Sequence, residues 1–504
     1  MSAAAAAAST RPSSRESDEG AGWGCSAGTF TSAMPAKLPP KVYWFSARVL
    51  WETRNDVLAK ALTDPTDALR ERWVAGLTDA DLTVDMSDRK DFSFLLLGDT
   101  GEGDYSQYAL LPAIRAKGEG TAFMFICSDV IYPLGNVNDY VDKFYRPYGG
   151  YPGPIYAIPG NHDWYDGLQA FMRHFCDREP PPGMRDRLLS KDWLRDKLWK
   201  KPPLFDQQRF DEGLALRPEP SQRQPVPQRA PYFVIETERL RLVGIDTGIK
   251  KDLDHVQGEW LLRVSASSPK PKVLLTGTPI YVSNRYQPLE IVGGAGGFPT
   301  VDAIVREPKH NYVAAIGGDI HNYQRYPVQV DGRRIEYIVS GGGGAFMHAT
   351  HTIPRIDPEV CGGVTEDDFR CYPLRRDSLA VYSRLLDDRF GGRGALRLSP
   401  DEAASLLIKR LGIKPTRPVR QVDSPSMRRR AAAATALLMP AERGFHKWLS
   451  PFFDWDTPPF FKNFLRLDVS ERGLEIRCYG VTGCADSEDD PAPEDEVPTI
   501  PLEG

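Results

Sequence analysis

The sequence contains no apolar run near the ~20 residues that a membrane-spanning helix requires. Its seven cysteines are odd in number, scattered and without a CxxC pair, which argues against a disulfide framework and a structural zinc site. Neither sign of charge dominates, since 63 Lys and Arg against 68 Asp and Glu give a net charge of −5, too mild to indicate a nucleic acid or a membrane as partner. The N-terminal stretch also lacks the basic and apolar parts of a secretory signal. We therefore expect a cytoplasmic protein.

The composition of the 504-residue chain is that of a globular protein, with 41% hydrophobic and 26% charged residues. Shifts in composition divide the chain into six segments: a disordered segment at 1–40, a helical extension at 41–90, a core at 91–351, a helical insertion at 352–445, a segment completing the core at 446–484 and an acidic tail at 485–504. The core itself carries a Pro- and Arg-rich insertion at 177–231, which we expect to form a lid with one helix over Arg185–Trp199.

Further elements are predicted towards the C-terminus. Helices are expected near 376–388 and 400–411, and residues 463–470 and 474–481 have the pattern of a hairpin. Three arginines at 428–430 open an Ala- and Leu-rich stretch, which is more typical of a solvated helix face than of a nucleic-acid patch.

Six short apolar runs each end in a polar turn: FSFLLLGDTG at 92–101, TAFMFICSDVIY at 121–132, PIYAIPGNHD at 154–163, RLVGIDTG at 241–248, KVLLTGTPIY at 272–281 and YVAAIGGDIH at 312–321. Such runs are typical of strands buried on both faces of a parallel sheet. Ligands of open α/β sheets bind beyond the carboxyl ends of the strands, so the residues there are the candidates: Asp99, Asp129, Asn161, His162, Asp319 and His321. Turn formation alone would explain one or two such positions but not all of them. Asp246 also follows a strand, and we expect it to orient its loop.

The chemistry of these side chains indicates a metal centre. The candidate donors are carboxylates, an amide oxygen, the phenol of Tyr132 and an imidazole. A site built from such donors suits Fe, Mn or Mg better than a thiolate site does. A pair of such ions is a common solution for phosphoester hydrolysis, because one ion polarises the phosphoryl oxygen while both activate the attacking water.

The motifs GDTG (98–101), SDVIY (128–132), GNHD (160–163), GTP (277–279) and GDIH (318–321), in this order, resemble the calcineurin-like metallophosphoesterase superfamily, and within it the purple acid phosphatase branch. The family pattern is GDxG, GDxxY, GNH(D/E), a His two residues before Pro, and GHxH. The resemblance implies an α/β fold, the four-layer α/β/β/α metallophosphoesterase sandwich, here with helical insertions.

The resemblance also implies a ligand set. The first metal would be held by Asp99, Asp129, Tyr132 and His321, and Asp129 would bridge to a second metal that also takes Asn161. Two imidazoles of that second site are missing, because Gly277 and Asp319 stand where the family has histidine. Asp319 is then the expected substitute ligand. We expect two metal ions, the first iron (or manganese or zinc) and the second a weakly bound Mn, Mg or Zn.

The remaining histidines divide into three groups. His162 is expected to be catalytic together with Asp129, donating a hydrogen bond or proton to the leaving group, with a supporting role for His162 as the alternative. His348 and His351 follow a glycine run and either contact the site or pack a loop. The others are expected to be structural: His174, His255, His310 and His446.

Two functions follow from this sequence. The first is a metallophosphoesterase that hydrolyses a phosphomonoester or phosphodiester by attack of a metal-bound hydroxide, weakened by the loss of two second-site histidines. The alternative is a pseudophosphatase that binds a phosphorylated ligand or a protein partner without efficient turnover. The expected partner is a phosphorylated small molecule or protein, with no nucleic acid and no membrane.

Overall fold

The computed structural model describes residues 29–62, 64–181, 197–217, 227–413, 415, 417, 425–438, 457–484 and 486–502. Residues 1–28, His446 and most of the helix expected over Arg185–Trp199 lie outside the described residues. Within the described ranges, no helix combines the length and the apolar character that crossing a bilayer demands.

The described chain forms sixteen strands: β1 Thr83–Met86, β2 Phe92–Leu97, β3 Phe123–Ile126, β4 Ile155–Ala157, β5 Phe233–Thr237, β6 Arg241–Ile245, β7 Lys272–Thr276, β8 Glu290–Ala295, β9 Phe298–Thr300, β10 Tyr312–Gly317, β11 Tyr323–Val330, β12 Arg333–Ser340, β13 Arg370–Tyr372, β14 Lys462–Ser470, β15 Gly473–Val481 and β16 Pro493–Ile500. All six apolar runs of the sequence contain one of these strands, and the hairpin is β14 and β15, so these predictions are confirmed.

The described α-helices are α1 Ala47–Glu52, α2 Arg54–Ala61, α3 Thr66–Val74, α4 Tyr105–Tyr108, α5 Leu111–Gly118, α6 Arg146–Tyr148, α7 Gln169–Cys176, α8 Gln207–Ala215, α9 His255–Ala266, α10 Val301–Arg306, α11 Arg375–Arg389, α12 Pro400–Leu411 and α13 Met427–Leu438. The two helices predicted near 376–388 and 400–411 are α11 and α12. Helix α12 begins with a capping box between Ser399 and Glu402 and ends at Gly412 in the left-handed conformation, φ 62°, so both of its ends were readable in the sequence.

Two sheets pack face to face. One has eight strands in the order β1-β5-β6-β7-β10-β12-β11-β13, and the other has six in the order β16-β15-β14-β2-β3-β4. Their facing sides bury a shared apolar layer that includes Phe94, Leu96, Leu275 and Ile316. Helices α5 and α7 cover the outer face of the six-stranded sheet, and α9 and α10 cover that of the eight-stranded sheet. The expected four-layer α/β/β/α sandwich is therefore confirmed.

The ends of the chain differ from the sequence prediction. Part of the segment expected to be disordered is ordered at Thr29–Ala33, where Phe30 is buried against Phe460. The helical extension ends in strand β1, which pairs in parallel with β5. The expected acidic tail forms edge strand β16, and its Asp495 is paired with Arg325 at 2.6 Å. The acidity predicted a tail, but arginines of distant elements pair with Asp495 and Glu494 of this strand.

A buried ion-pair network fastens the N-terminal extension to the core. The guanidinium of Arg70 on α3 is 1% exposed and contacts Asp246 at 2.7 Å and Asp254 at 2.6 Å. Asp246 also accepts a hydrogen bond from the indole of Trp164 at 3.0 Å and from the backbone of Gly248 at 2.9 Å. Asp246 thus orients its loop, as the sequence predicted.

The described cysteines are mostly unpaired. Five of them are free thiols: Cys127, Cys176, Cys361, Cys371 and Cys478. Cys484 is disulfide-bonded. A single disulfide does not make a framework, but such bonds persist mainly in oxidising compartments. The cytoplasmic location expected from the sequence therefore stays a prediction.

Candidate metal centre

The candidate residues lie where the two sheets present the carboxyl ends of their parallel strands. Asp99 follows β2, Asp129 follows β3, His162 follows β4, and Asp319 and His321 follow β10. Strands β2 to β4 belong to one sheet and β10 to the other, so the site spans both sheets. The backbone N–H of Asp319 donates to Oδ2 of Asp99 at 2.9 Å and thereby joins the two sheets at this point.

Glycines allow these loops to approach the carboxylates closely. A Cβ atom at Gly160 would lie 2.1 Å from Oδ1 of Asp129, and one at Gly318 would lie 2.8 Å from Oδ2 of Asp99. Asp99 and Asp319 themselves have left-handed backbones, with φ of 58° and 65°. Aspartate tolerates this conformation better than most residues, which explains its presence at both positions.

The four predicted ligands of the first metal converge on one atom, the hydroxyl of Tyr132. That oxygen lies 2.7 Å from Oδ1 of Asp99, 2.8 Å from Oδ2 of Asp129 and 3.2 Å from Nε2 of His321. All four side chains are buried. One phenol proton cannot satisfy three acceptors at these distances. A cation among these atoms would satisfy the cluster.

The electrostatics of the cluster also favour a bound cation. Burial, the charge of Asp129 and the charge of Asp319 raise the pKa of Asp99 well above its ordinary value. Burial and the neighbouring carboxylates likewise raise the pKa of the Tyr132 phenol. Without a cation, deprotonation of Asp99 and Tyr132 costs free energy, and a bound cation would offset that cost. The donor set of the first site therefore fits a metal ion.

The fit of the first site to a metal ion depends on the phenol of Tyr132. Leaving Tyr132 aside, no group of three or more His, Cys, Asp or Glu side chains within the described part of the chain has an arrangement that could hold a metal ion. Asp99 and His321 stand 3.6 Å apart across the Tyr132 hydroxyl. The first site is thus a four-residue centre with Tyr132 in the middle.

His321 is held in the tautomer that a ligand needs. Its Nδ1 donates to the Phe346 carbonyl at 2.7 Å, so Nε2 keeps its lone pair and is the nitrogen near Tyr132. Burial lowers the pKa of His321 to about 3, which keeps the imidazole neutral. A carbonyl that fixes the far nitrogen is a common companion of histidine ligands.

His162 stands beside the first site. Its backbone N–H donates to Oδ1 of Asp129 at 2.7 Å, and its Nδ1 donates to the Pro133 carbonyl at 2.7 Å. The imidazole packs on Tyr132 with ring centroids 4.5 Å apart. Its backbone therefore supports Asp129, as the alternative interpretation held, while Nε2 is the nitrogen that remains for proton exchange.

The second metal position is altered more deeply than the sequence indicated. The Nδ2 of Asn161 donates to the Tyr165 hydroxyl at 2.9 Å, which leaves the amide oxygen for a cation. A Cβ atom at Gly277 would lie 3.1 Å from the carbonyl of Pro159, two residues before Asn161. Asp319, the expected substitute ligand, instead forms an ion pair with Lys251 at 2.5 Å. The second donor set therefore does not fit a metal ion in this arrangement.

Sequence reasoning missed two residues near the centre. Lys251 belongs to the loop after β6, the same kind of strand end that supplied the other candidates, and the pair of lysines after IDTG was the available signal. Trp44, from the extension, lies edge-on to Tyr132 and Phe346 with ring centroids 5.7 and 5.2 Å away, and its Nε1 donates to Glu102 at 3.0 Å.

The structure describes residues 177–181, 197–217 and 227–231 of the insertion, so the lid expected over 177–231 stays a prediction. The described helix of that insertion, α8, packs against the segment around Asp142, to which Arg209 donates at 2.8 Å. Phe210 of the same helix lies beside His174, with ring centroids 5.2 Å apart.

The other histidines have structural contacts. Nδ1 of His351 lies 2.8 Å from Ser378 Oγ, Nδ1 of His310 lies 2.7 Å from the Ile304 carbonyl, and Nδ1 of His255 lies 2.9 Å from the Gly294 carbonyl. His348 differs, because it accepts a hydrogen bond from the backbone of His321.

Comparison with known proteins agrees with this arrangement. Residues 92–323 match the family model described as calcineurin-like phosphoesterase. The matched range contains every candidate ligand from Asp99 to His321, so the resemblance inferred from the motifs is confirmed at the level of this family model.

No curated protein matches the chain significantly. Several solved structures resemble it distantly. One is GAP50, the anchor in the inner membrane complex of Plasmodium, at 8% identity and a TM-score of 0.40, covering 82% of this chain and 90% of that chain. Purple acid phosphatase PPD1 from yellow lupin (Lupinus luteus) seeds has 11% identity and a TM-score of 0.36, covering 81% and 54%. The protein TT1561 of Thermus thermophilus has 10% identity and a TM-score of 0.23, covering 50% and 89%.

Proposed function

We propose that the protein is a metal-dependent phosphoesterase that hydrolyses a phosphomonoester or phosphodiester at the centre around Tyr132. The observation that carries the proposal is the convergence of two carboxylates and one imidazole on a single phenol oxygen, all buried. The match of residues 92–323 to the calcineurin-like phosphoesterase family model supports the same class of reaction.

Each residue of the centre has a role in this proposal. Asp99, Asp129, Tyr132 and His321 would hold the metal ion. When bound, the ion supplies Lewis-acid stabilisation of the phosphoryl charge. His162 is aligned by its hydrogen bond to the Pro133 carbonyl, so Nε2 of its protonated form donates the proton to the leaving-group oxygen. Trp44 excludes water from the Tyr132 and His162 edge of the site.

The identity of the ion is part of the proposal. The phenol ligand resembles that of the purple acid phosphatase branch and favours a hard trivalent ion, so iron is the first choice and manganese or zinc the alternatives. Any second ion would be a weakly bound Mn, Mg or Zn. We take the partner to be a phosphorylated small molecule or protein in the cytoplasm, with neither nucleic acid nor membrane involved.

A second candidate is a pseudophosphatase that binds a phosphorylated ligand without efficient turnover. The ion pair between Lys251 and Asp319, together with the glycine at position 277, favours it. Both changes lower the number of donors available to a second ion, and two-ion centres carry much of the catalysis in phosphoester hydrolysis.

Hydrolysis assays distinguish the two candidates. Protein purified without added metal and then loaded with Fe, Mn, Zn or Mg is assayed with p-nitrophenyl phosphate and bis(p-nitrophenyl) phosphate, beside His162→Asn and Asp99→Asn as variants. The proposal expects metal-dependent turnover that both variants reduce, His162→Asn by about 10²- to 10⁴-fold. Binding of phosphate without turnover under every metal would favour the pseudophosphatase.

A further inference from the structure

The carboxylate of Asp319 is paired with an amine from another loop of the same sheet. Nζ of Lys251 lies 2.5 Å from Oδ2 of Asp319, and the two side chains are 26% and 12% exposed. Lys251 reaches this position from a left-handed backbone, φ 69°, in the loop after β6. The ion pair therefore lies at the rim of the site, within reach of solvent and of an incoming ligand.

Asp319 is close to the first site as well. Its backbone N–H donates to Oδ2 of Asp99 at 2.9 Å. The ammonium of Lys251 therefore adds one fixed positive charge to a cluster of three carboxylates. This charge is paired with Asp319, the residue that stands where the resemblance implies a histidine ligand of a second ion.

We infer that Lys251 replaces the second metal ion as the cationic group that binds the phosphoryl oxygens of the substrate. This inference rests on the proposed function and specifies its ligand as a phosphate mono- or dianion. Lysine is a well-suited phosphate-binding group, since its ammonium is a compact charge with three N–H donors.

The charges oppose the binding of a second ion while Lys251 is in place. The resemblance implies a ligand of the second ion at position 319, so a second ion would need Asp319 as a ligand. The ammonium already at 2.5 Å from that carboxylate would then repel the ion at short range. Gly277 supplies no side-chain donor that could compensate.

Metal stoichiometry and phosphate affinity test the inference on the full-length protein. The variants are Lys251→Met, which removes the charge, and the matched control Lys251→Arg, which keeps it. The readouts are bound Mn²⁺ per chain, from elemental analysis and electron paramagnetic resonance, and the Kd for inorganic phosphate at one equivalent of metal, from calorimetry.

Wild type should hold one ion per chain even in excess Mn²⁺. At one equivalent, Lys251→Met should keep its metal and bind phosphate about 10- to 100-fold more weakly, while Lys251→Arg should stay near wild type. In excess Mn²⁺, Lys251→Met should take up a second ion, because Asp319 is released. A merely structural role for Lys251 would not raise the stoichiometry.

Two outcomes would overturn the inference: wild type with two ions per chain, or a folded Lys251→Met variant with unchanged phosphate affinity. Failure of the proposed function looks different. A wild type that turns over no phosphoester, but loses phosphate affinity in Lys251→Met, overturns hydrolysis and retains Lys251 as the phosphate-binding group.

Discussion

His348 holds the backbone of His321. Its Nδ1 accepts a hydrogen bond from the His321 backbone N–H at 2.9 Å, and the two imidazoles are stacked with centroids 4.2 Å apart. The same loop supplies the Phe346 carbonyl that fixes Nδ1 of His321. The glycine run after β12 thus leads into a loop that sets both the position and the tautomer of a candidate ligand. Of the two roles left open for His348 by the sequence, this bond to backbone is nearer to loop packing, and the loop that it packs holds a candidate ligand.

Removal of this support should weaken metal binding. His348→Ala deletes both the acceptor and the stacked ring, and loss of such outer contacts typically lowers metal affinity by about 10- to 100-fold. His348→Asn places an amide oxygen where Nδ1 was and should recover part of the affinity. Metal titration with a competing chelator measures both, and His351→Asn is the matched control. Equal metal affinity in wild type and His348→Ala would contradict the prediction.

The colour of the protein should report on Tyr132. A ferric ion stabilises the deprotonated phenol, so iron-loaded wild type should show a visible charge-transfer band. Tyr132→Phe should lose that band, since the phenol oxygen at 2.7 Å from Asp99 and 2.8 Å from Asp129 is gone. Absorption spectroscopy at known iron content is the measurement. Colourless wild type with stoichiometric iron would exclude ferric phenolate ligation.

Metal retention should separate the first-site residues from Asp319. Asp99→Asn and His321→Ala remove groups that converge on Tyr132, so they should lose most bound metal and any activity. Asp319→Asn should keep the metal, because the structure pairs that carboxylate with Lys251. Elemental analysis of the purified proteins decides. Wild-type metal content in Asp99→Asn would show that the first site is misplaced.

Restoring the family histidines should succeed only in part. Gly277→His with Asp319→His supplies two imidazoles but leaves Lys251 without its carboxylate partner at the same place. The new Cβ at 277 also meets the Pro159 carbonyl at 3.1 Å and Thr247 Oγ1 at 3.2 Å, so the loop must shift slightly. We expect the double variant to bind a second Mn²⁺ weakly.

The triple variant that adds Lys251→Met should approach two ions per chain and show higher phosphatase activity at low metal. Stoichiometry by elemental analysis ranks the wild type, double and triple variants. The reverse order, with the double variant ahead of the triple, would argue that Lys251 does not oppose the second ion.

Trp44 should slow the exchange of the bound ion. Its ring lies edge-on to Tyr132 and His162, both at 5.7 Å between centroids. Trp44→Ala opens this edge to water, so removal of metal by a chelator should become several-fold faster in stopped-flow or dialysis experiments. Trp51, which is 60% exposed in the same extension, offers the control Trp51→Ala. Equal rates of metal removal from Trp44→Ala and Trp51→Ala would show that Trp44 does not shield the bound ion.

Acid should destabilise the fold through His174. Burial lowers the pKa of this imidazole from 6.5 to about 3, so the unfolded chain binds one more proton between these values. The stabilising contribution of the neutral ring is therefore present above pH 6.5 and is lost as the pH falls towards 3. Its slope is at most about 1.4 kcal/mol per pH unit.

Urea unfolding at several pH values between 7 and 4 tests this titration. His174→Phe should be less stable at pH 7, since it loses contacts of about 3 Å to Tyr145 and Val137, but its unfolding free energy should depend less on pH. His255→Gln, at an exposed helix start, should keep the wild-type slope. An unchanged slope in His174→Phe would exclude His174 as the titrating group.

Much of the fold followed from local pattern. Continuous apolar runs identified six strands, and alternation identified the hairpin of β14 and β15. Among the strands that were missed, β1 is a polar edge strand whose pairing partner, β5, comes from a distant part of the chain, and β16 is an acidic edge strand that pairs with the preceding strand β15. A sequence window around β1 does not contain its partner, and the acidic composition of β16 is untypical of a strand.

The sequence by itself predicted the members of the first site. Strand-end position indicated Asp99, Asp129 and His321. The resemblance of the motifs added Tyr132 and assigned these four residues to one ion, and the structure brings their side chains together. Tertiary structure alone decided the second site. Lys251 and Asp319 lie on loops after different strands, and 68 residues separate them. The packing of whole elements decides which charged side chain lies beside a given carboxylate. Contacts between distant loops produce no periodic pattern in the sequence, so they cannot be predicted from it.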